Sequence, residues 1–289
     1  MGDARPALDV HVPSCSPDLT SFIDALLDDF RPFAIEEIDG ATRRIHFFSR
    51  EDRDDASRAI EHRFGSTGVR PTSVEIADDN WAERSQATLR AIRVGTIVVA
   101  PPWDIPNDIA SSAVVVIRPS MGFGTGHHAS TRLCLRGLQS LSVARRTVLD
   151  VGTGSGVLAI AAAKLDAASV RGIDTDRDAV DTARENVGLN GVKDRVEIHH
   201  ADFRDARQLG NDGESPAAVV LANINATLAL DHTKTLVHRV AERGVLVVGG
   251  ITAPEEASVR LALDPFGQVV ARYAEDEWIA LVLERVRPD

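Results

Sequence analysis

The sequence VLDVGTGSG, residues 148–156, decides the fold of this 289-residue chain. Residues 147–151 form a short apolar run, which predicts a buried strand that leads directly into glycines. The apolar segment that begins at Val157 predicts a helix. Glycine permits the turn between them to tighten and lets a ligand approach the backbone amides at the helix N-terminus. The stretch therefore predicts a ligand-binding turn in an α/β domain.

The spacing of the glycines narrows the class of ligand. A dinucleotide fingerprint, G-x-G-x-x-G, would place its third glycine at the position of Val157. Here the glycines are Gly152, Gly154 and Gly156, a G-x-G-x-G pattern that follows Asp150. This pattern favours a ligand without a pyrophosphate, whose amino-acid end contacts Asp150 and the exposed amides of the loop.

Two later acids stand at the ends of predicted strands. Asp174 lies 22 residues after Gly152, where its carboxylate can accept both hydroxyls of a ribose. Asp202 follows the next strand and is placed to reach an adenine edge. Either acid alone is more simply a helix N-cap or a surface loop residue. Together with the glycine loop, they predict S-adenosylmethionine as the cofactor.

Strand-like and helix-like segments alternate through the second half of the chain. Such alternation predicts a parallel sheet covered by helices on both faces. The expected strands cover 92–99, 114–117, 147–151, 170–173, 196–199, 219–223 and 244–248, and the expected helices cover 157–166, 178–190 and 226–241.

The first eighty residues predict a separate α+β unit. Its order is βαβ-βαβ, the split arrangement of ferredoxin-like folds, with a hairpin turn at Asp39-Gly40. The expected strands cover 8–12, 33–38, 43–48 and 72–77, and the expected helices cover 19–27 and 53–64. We therefore expect a substrate-recognition domain at 1–78, a linker helix at 79–90 and a catalytic domain at 91–289.

The charge of the chain is acidic and unevenly distributed. The whole chain has 32 basic and 43 acidic residues, and residues 1–80 contain 9 Arg against 17 Asp and Glu. This balance disfavours direct nucleic-acid binding, which needs a basic face. The acidic bias of the front unit is explained either by a solvated surface or by a surface that meets a basic partner.

Several features predict a cytoplasmic protein. Cys15 and Cys134 are far apart, so they build neither a disulfide framework nor a cysteine zinc site. The longest apolar run, 157–163, is far shorter than the roughly 20 residues of a membrane span. The first residues lack the apolar core of a signal peptide. The sequence leaves the oligomeric state open.

Residues 121–131, MGFGTGHHAST, resemble the F-G-T-G-x-H-x-x-T segment of PrmA-type methyltransferases, which modify large-subunit ribosomal protein eleven (L11). Residues 150–156, 172–174 and 222–224 match later motifs of that family in the same order. The resemblance covers nearly the whole chain, including the ferredoxin-like front unit. It implies a class I, Rossmann-like methyltransferase domain and a basic protein substrate.

The resemblance also implies roles for individual residues. Asn223 is the expected catalytic residue, since its side-chain carbonyl would accept an N–H bond from the lysine or N-terminal amine that receives the methyl group. Residues 123–126 would close over the methionine end of the cofactor. The expected cofactor-binding set is Phe123, Gly124, Thr125, Gly126, Thr131, Asp150, Gly152, Gly154, Gly156, Asp174, Asp202 and Asn223.

Three residues depart from the family pattern. His127 and Ala129 stand where the family usually has threonine and proline, and Asn225 stands where it has leucine. His127 and His128 are adjacent, so they project differently, and no cysteine or acid completes a metal set. We expect no metal, and we expect His128 to order the loop.

Three other functions stay open at this point. The enzyme could methylate a different protein or a small molecule, which Asn225 permits. The chain could also be a cofactor-binding regulatory module without turnover. A nicotinamide-dependent dehydrogenase is the third alternative, and Val157 argues against it.

Overall fold

A computed structural model of the chain describes residues 5–13, 19, 23, 26–27, 30, 32, 34–47, 49–76, 89–107, 113–118, 126–205 and 215–285. The chain divides into two compact units, Met1–Ala87 and Thr88–Asp289. The predicted domain limits and the linker helix at 79–90 stay predictions, because residues 77–88 lie outside the described residues.

The front unit has the predicted ferredoxin-like topology. Its four strands form an antiparallel sheet with the order β2-β3-β1-β4, and the described residues between β1 and β2 include helical Leu19, Ile23, Leu26 and Leu27. Its elements are β1 Arg5–His11, β2 Ala34–Glu37, β3 Thr42–His46, α1 Arg50–Phe64 and β4 Arg70–Ile76.

Local side-chain bonds set the turns of this unit. The Oδ1 atom of Asp39 accepts hydrogen bonds from the amides of Ala41 and Thr42 at 2.8 and 2.7 Å, which closes the predicted hairpin between β2 and β3. Helix α1 begins three residues earlier than predicted, because the Ser49 side chain accepts from the amide of Asp52 at 3.0 Å and caps the helix.

The second unit contains ten strands and six helices among its described residues. The strands are β5 Ile92–Val94, β6 Ile97–Ala100, β7 Ala113–Val116, β8 Thr147–Val151, β9 Ser169–Asp174, β10 Val196–His200, β11 Ala217–Asn223, β12 Val240–Thr252, β13 Gly267–Glu275 and β14 Trp278–Arg285. The helices are α2 Ala129–Gln139, α3 Val157–Lys164, α4 Arg177–Leu189, α5 Ala226–Asp231, α6 Thr233–His238 and α7 Glu256–Leu263. None of these helices, nor α1, has the length and apolar character needed to cross a membrane.

Seven strands of this unit form one sheet with the order β10-β9-β8-β11-β12-β14-β13. The predicted parallel arrangement holds from β10 to β12. Strand β14 runs antiparallel to both of its neighbours, which corrects the expectation of a wholly parallel sheet. A tight turn at Asp276, whose φ is +51°, joins β13 to β14, and strands joined by such a turn form an antiparallel hairpin.

The sheet is buried on both faces, as the alternating pattern predicted. In β11, Val219 and Leu221 belong to one apolar cluster with α2, α3 and α4, whereas Val220 and Ala222 belong to a second cluster with α5, α6 and α7. Successive residues of a strand point to opposite faces, so one strand contributes to both cores. The carboxyl ends of the central strands are therefore held from two sides.

Three other expectations about elements need correction. The expected strand 92–99 is a hairpin of β5 and β6, because Gly95 has a φ of +58° and reverses the chain. The expected helix 226–241 is two short helices, α5 and α6, with non-helical His232 between them. Helix α2 and the β13–β14 hairpin were not among the predicted elements. Gly137 lies inside α2, and a Cβ there would come within 2.9 Å of Val247 Cγ1, so this glycine permits close packing on β12.

Candidate active site

The glycine loop joins β8 to α3 at the carboxyl edge of the sheet. Gly152, Gly154 and Gly156 all have left-handed backbone conformations, with φ of +67°, +53° and +82°. A Cβ on Gly152 would come within 3.1 Å of Ile224 Cγ2, so the loop lies close to the chain that follows β11. The loop requires glycine at these positions for conformational reasons.

Asp150 holds the loop from inside the protein. Its Oδ2 atom accepts hydrogen bonds from Thr153 Oγ1 at 2.7 Å and from the amide of Ala159 at 3.1 Å. The residue is fully buried, and its Oδ1 atom has no hydrogen-bond partner in the described part of the chain. Burial raises the pKa of this carboxyl to about 7.

The loop amides are already engaged, which corrects the expectation that they are exposed to the ligand. The amides of Gly152 and Thr153 both donate to the carbonyl of Ile173, at 2.9 and 3.0 Å. The amide of Gly154 donates to Asp174 Oδ2 at 2.9 Å. These bonds attach the loop to β9, so the loop is shaped before any ligand binds.

A cavity of about 90 Å³ lies beside the loop. It brings together three of the predicted residues, Gly152, Asp174 and Asp202, at the ends of three neighbouring strands. Its lining consists of Val151, Gly152, Ile173, Asp174, Thr175, Ala201, Asp202, Phe203, Arg204, Ile224 and Leu228. A crevice outside the carboxyl ends of parallel strands is where open α/β sheets bind their ligands.

The two acids in this cavity differ in their partners. Asp174 accepts from the amide of Gly154 with one oxygen and from the amide of Asp176 with the other, at 2.9 and 3.0 Å. Asp202 accepts from Arg204, whose Nε lies 2.8 Å from both carboxylate oxygens. This guanidinium lowers the pKa of Asp202. Both carboxylates are thus ordered. Each oxygen of Asp202 accepts from two nitrogen atoms of Arg204, whereas each oxygen of Asp174 has a further lone pair that a ligand hydroxyl can use.

Asn223 and Thr131 are brought together by the fold. Asn223 is the last residue of β11, and its Nδ2 donates to Thr131 Oγ1 of α2 at 3.3 Å. This bond orients the amide, so the carbonyl oxygen Oδ1 is turned away from Thr131. Oδ1 is buried and has no partner among the described residues. An oriented, unpaired acceptor therefore stands one residue before Ile224, which lines the cavity.

The chain before α2 is held at its described end. His128 caps α2 by accepting from the amide of Ser130, and its ring lies 4.5 Å from the ring of Trp278 in an edge-to-face arrangement. His128 thus fixes the start of α2, and its predicted effect on the loop at 121–125 stays a prediction because those residues lie outside the described ones. His127 Nε2 lies 2.9 Å from the carbonyl of Arg90. Within the described ranges, no group of three His, Cys, Asp or Glu is placed to hold a metal ion.

The remaining predicted residues differ in how far the structure places them. Gly126 has a φ of +85°, and a Cβ there would approach Val99 Cγ1 to 2.8 Å, so only glycine is accommodated without displacement. Phe123, Gly124 and Thr125 lie outside the described residues, and their cofactor contacts stay predictions.

Asn225, one of the departures from the family pattern, has a structural function. Its side chain accepts from the amide of Leu228 at 2.8 Å and caps α5. A leucine cannot make this bond, so the departure strengthens the start of a helix. Asn225 therefore gives no reason to change the expected acceptor chemistry.

Comparisons with known proteins agree with this geometry. A family model described as ribosomal protein L11 methyltransferase (PrmA) matches residues 32–286. The chain belongs to this family. A relative named ribosomal protein L11 methyltransferase from Geobacter sulfurreducens is 37% identical over 269 residues, which cover 89% of this chain and 86% of the relative. One of the same name from Trichlorobacter lovleyi is 38% identical over 219 residues, covering 73% and 70%.

A solved structure gives the same result for the fold of this PrmA-family chain. The crystal structure of ribosomal protein L11 methylase from Lactobacillus delbrueckii subsp. bulgaricus aligns with a TM-score of 0.60 at 29% identity. The alignment covers 69% of this chain and 100% of that one. The predicted class I fold, the methyltransferase activity and S-adenosylmethionine as the cofactor are confirmed.

Sequence reasoning missed several residues of the PrmA-family site. Ile173, Phe203 and Leu228 supply apolar walls, and Arg204 holds Asp202. Ile173 and Phe203 are direct sequence neighbours of the two predicted acids, and this adjacency is the signal that could have found them. Leu228 lies in α5, whose position over the cavity depends on how the helix packs and has no local signal.

Asp150 is expected to link folding stability to pH. Its carboxyl has a pKa of about 7 in the folded chain against an ordinary value of 3.8, so between these values the folded state keeps a proton that the unfolded state has released. Its stabilising contribution is present below the lower value and is lost as the pH rises through the higher one. Asp150→Asn should reduce the fall in unfolding free energy between about pH 5 and about pH 8, measured by urea denaturation.

Asp202→Asn is the control for this measurement. The pKa of Asp202 is lowered, so this carboxyl is ionised over the whole pH range and its replacement should leave the slope unchanged. An equal slope in the wild type and in Asp150→Asn would show that the buried carboxyl does not titrate in this range.

Asp174→Ala is expected to weaken binding of S-adenosylhomocysteine at least about tenfold, because hydrogen bonds to a charged acceptor contribute roughly 1.5–3 kcal/mol each. Isothermal titration calorimetry measures the affinity, with NAD titrated in parallel. Asp194→Ala, in the turn before β10 on the opposite edge of the sheet, should bind as the wild type does. Binding of NAD that depends on Asp174 would instead support the dehydrogenase alternative.

Proposed function

We propose that the chain transfers methyl groups from S-adenosylmethionine to lysine side-chain amines of ribosomal protein L11, with the N-terminal amine as a further acceptor. The observation that carries this assignment is the Asn223 amide. Its Oδ1 atom is buried and unpaired among the described residues, while its Nδ2 atom is occupied by Thr131. The names of the relatives from G. sulfurreducens and T. lovleyi support the choice of substrate.

The chemical difficulty of this reaction lies with the acceptor amine. A lysine has a reference pKa of about 10.4, so presenting it as the neutral nucleophile at pH 7 costs about 4.6 kcal/mol. Loss of water around the amine disfavours its charged form and reduces this cost. Apolar side chains that adjoin the predicted acceptor position, Ile224 among them, supply such surroundings.

Asn223 acts on the nucleophile by orientation. Its Oδ1 accepts an N–H bond from the amine, so that the nitrogen lone pair points towards the carbon it attacks. When bound, S-adenosylmethionine supplies a methyl group on a sulfonium whose sulfur leaves uncharged, so no acid is needed to expel it. Held geometry of this kind can supply several kcal/mol, and no strong fixed base is required.

Asp174, Asp202 and the glycine loop hold the cofactor in this proposal. The carboxylate of Asp174 accepts hydrogen bonds from the ribose hydroxyls, and Asp202 contacts the edge of the adenine. Because Gly152 has no side chain, a small space remains between its backbone and Ile224. This space is compatible with a ligand that lies close to the backbone. Thr131 supports the site through its bond to Asn223.

The front unit recruits the protein substrate through its acidic hairpin. A groove of about 390 Å³ lies beside this hairpin, and its lining includes Ile35 and two acids, Glu37 and Asp39, against one base, Arg43. Ile35 and Ile38 are exposed to 41% and 42%, so the surface offers apolar contacts between its charges. Both features suit a basic protein segment with apolar side chains. The substrate places the enzyme in the cytoplasm, where ribosomal proteins are made, with no nucleic acid needed for binding.

Asn223→Ala is expected to lower kcat for methylation of purified L11 at least about a hundredfold, because it removes the group that orients the nucleophile. Transfer of tritiated methyl groups measures the rate, and mass spectrometry of the product identifies the methylated amines. Binding of S-adenosylhomocysteine should change much less than kcat.

Asn225→Ala is the matched control, since it removes a neighbouring asparagine that only caps α5. It should lower the unfolding free energy by about 1 kcal/mol and keep kcat within about twofold of the wild type. Label that enters another protein of a cell extract, and not L11, would contradict the substrate while leaving the enzyme class intact.

Charge reversal of Glu36, Glu37 and Asp39 to lysine tests recruitment, and Asp39→Ala alone measures the effect of losing the turn bonds of Asp39. We expect the KM for L11 to rise at least about tenfold, because three attractive charges of this hairpin would become repulsive to a basic substrate, with the largest effect at low salt. Binding of S-adenosylhomocysteine should not change. An unaltered KM would mean that the acidic residues serve only as a solvated surface.

A further inference from the structure

Asn186 on α4 is a fully buried polar residue that the proposed reaction does not use. Its Nδ2 donates to the carbonyl of Ser155, in the glycine loop, at 2.9 Å. Its Oδ1 accepts from the amide of Arg118, just beyond β7, at 2.9 Å. One amide side chain therefore joins two backbone segments that are 37 residues apart in the sequence.

Asn190, the residue that follows the last residue of α4, continues this pattern four positions after Asn186. Its Oδ1 accepts from the amide of Val116 at 2.8 Å, and its Nδ2 donates to the carbonyl of Val116 at 2.6 Å. Four residues of a helix rise about 6 Å, and two residues of a strand rise about 6.6 Å. The spacing of the two asparagine side chains therefore matches the spacing of alternate residues along β7. They form hydrogen bonds with the backbone at this edge as a neighbouring strand would.

Asn186 differs from Asn190 because its contact reaches the glycine loop. The peptide unit between Ser155 and Gly156 is held at both ends, by Asn186 at its carbonyl and by a bond from the Gly156 amide to the Thr153 carbonyl at 2.8 Å. The peptide unit between Thr153 and Gly154 is also held at both ends. Its Thr153 carbonyl accepts the bond from the Gly156 amide, and its Gly154 amide donates to Asp174 at 2.9 Å.

Two peptide planes thus connect Asn186 to the carboxylate that lines the cavity. Glycines flank Ser155 on both sides, so the peptide unit at Ser155 can rotate when its carbonyl is not held. Rotation would withdraw the Gly156 amide from Thr153 and, in turn, alter the bond between Gly154 and Asp174. The bond from Asn186 prevents this rotation.

We propose that Asn186 is a positioning residue of the cofactor site, which fixes Asp174 for ribose binding through the Ser155 and Thr153 peptide planes. This inference rests on the proposed function, because it assumes that Asp174 binds the cofactor. Asn190 serves the same helix and the same strand edge without affecting the cofactor.

Asn186→Asp and Asn190→Asp test this assignment, with S-adenosylhomocysteine as the probe in calorimetry of the full chain. Each variant replaces a buried donor by an oxygen and keeps the size of the side chain, so both should lower Tm. Asn186→Asp should raise the Kd about tenfold, because a buried carbonyl loses its partner and the loop shifts. Asn190→Asp should keep the Kd within about twofold. Should Asn186→Asp not fold, Asn186→Ser removes the bond to Ser155, together with the bond from Arg118, without opposing two oxygens.

A double variant identifies the route of the effect. In an Asp174→Ala background, Asn186→Asp should weaken binding by less than about twofold, because the residue it positions is gone. Equal weakening in both backgrounds, wild-type affinity of Asn186→Asp, or an equal loss in Asn190→Asp would each overturn the proposal. A wild-type chain that does not bind S-adenosylhomocysteine would instead refute the proposed function.

Discussion

The site depends on one buried carboxylate, that of Asp150. Its Oδ2 atom holds Thr153 at the start of the glycine turn and Ala159 in the first turn of α3, so one side chain closes the connection between strand and helix. The turn must then pass through left-handed conformations at Gly152, Gly154 and Gly156. A buried carboxyl without these bonds would be costly, and their presence makes the strained connection the stable one.

The sheet converts this local turn into a site. The β8, β9 and β11 strands are parallel neighbours, so the residues at their carboxyl ends converge on one edge even though they are distant in the sequence. The Ile173 carbonyl and the Asp174 carboxylate bind the glycine loop, and Asn223 projects from the end of β11. Burial of the strands on both faces keeps these ends in register. The packing of the strands in the two apolar clusters therefore fixes the positions of the functional side chains at the carboxyl edge of the sheet.

Two polar side chains near the site cap the helices that follow them, and one of the two departs from the family pattern. Asn225 caps α5, and the preceding Ile224 contributes to the cavity wall. His128, at the histidine position of the family motif, caps α2 and packs against Trp278. Capping by a side chain needs only a correctly placed acceptor, so different residues can perform it. The departure at Asn225 therefore changes how α5 is capped and leaves the proposed cofactor and acceptor contacts unchanged.

The sequence was most informative where the signal is local. Apolar periodicity located the strands of the front unit and the segments of the second unit that contain β5 to β12. Asp39-Gly40 located a hairpin because its bonds lie within a few residues. It failed where a long-range contact overrides the local pattern. Helix α2 contains Gly137, a residue that disfavours a helix locally. It is explained only by the close packing of this helix on β12. The β13–β14 hairpin lies outside the strand–helix alternation on which the prediction rested.

By itself, the sequence determined the class of ligand. The spacing of the glycines and the positions of Asp174 and Asp202 just after predicted strands can be read along the chain without knowing how its elements pack. Only the tertiary structure decided which polar atoms are engaged and which are unpaired. The partners Asn223 and Thr131 are 92 residues apart, and Asp150 is buried by helices that its own strand does not specify. The free energy of a polar group depends on what surrounds it, and those surroundings exist only after the elements have packed.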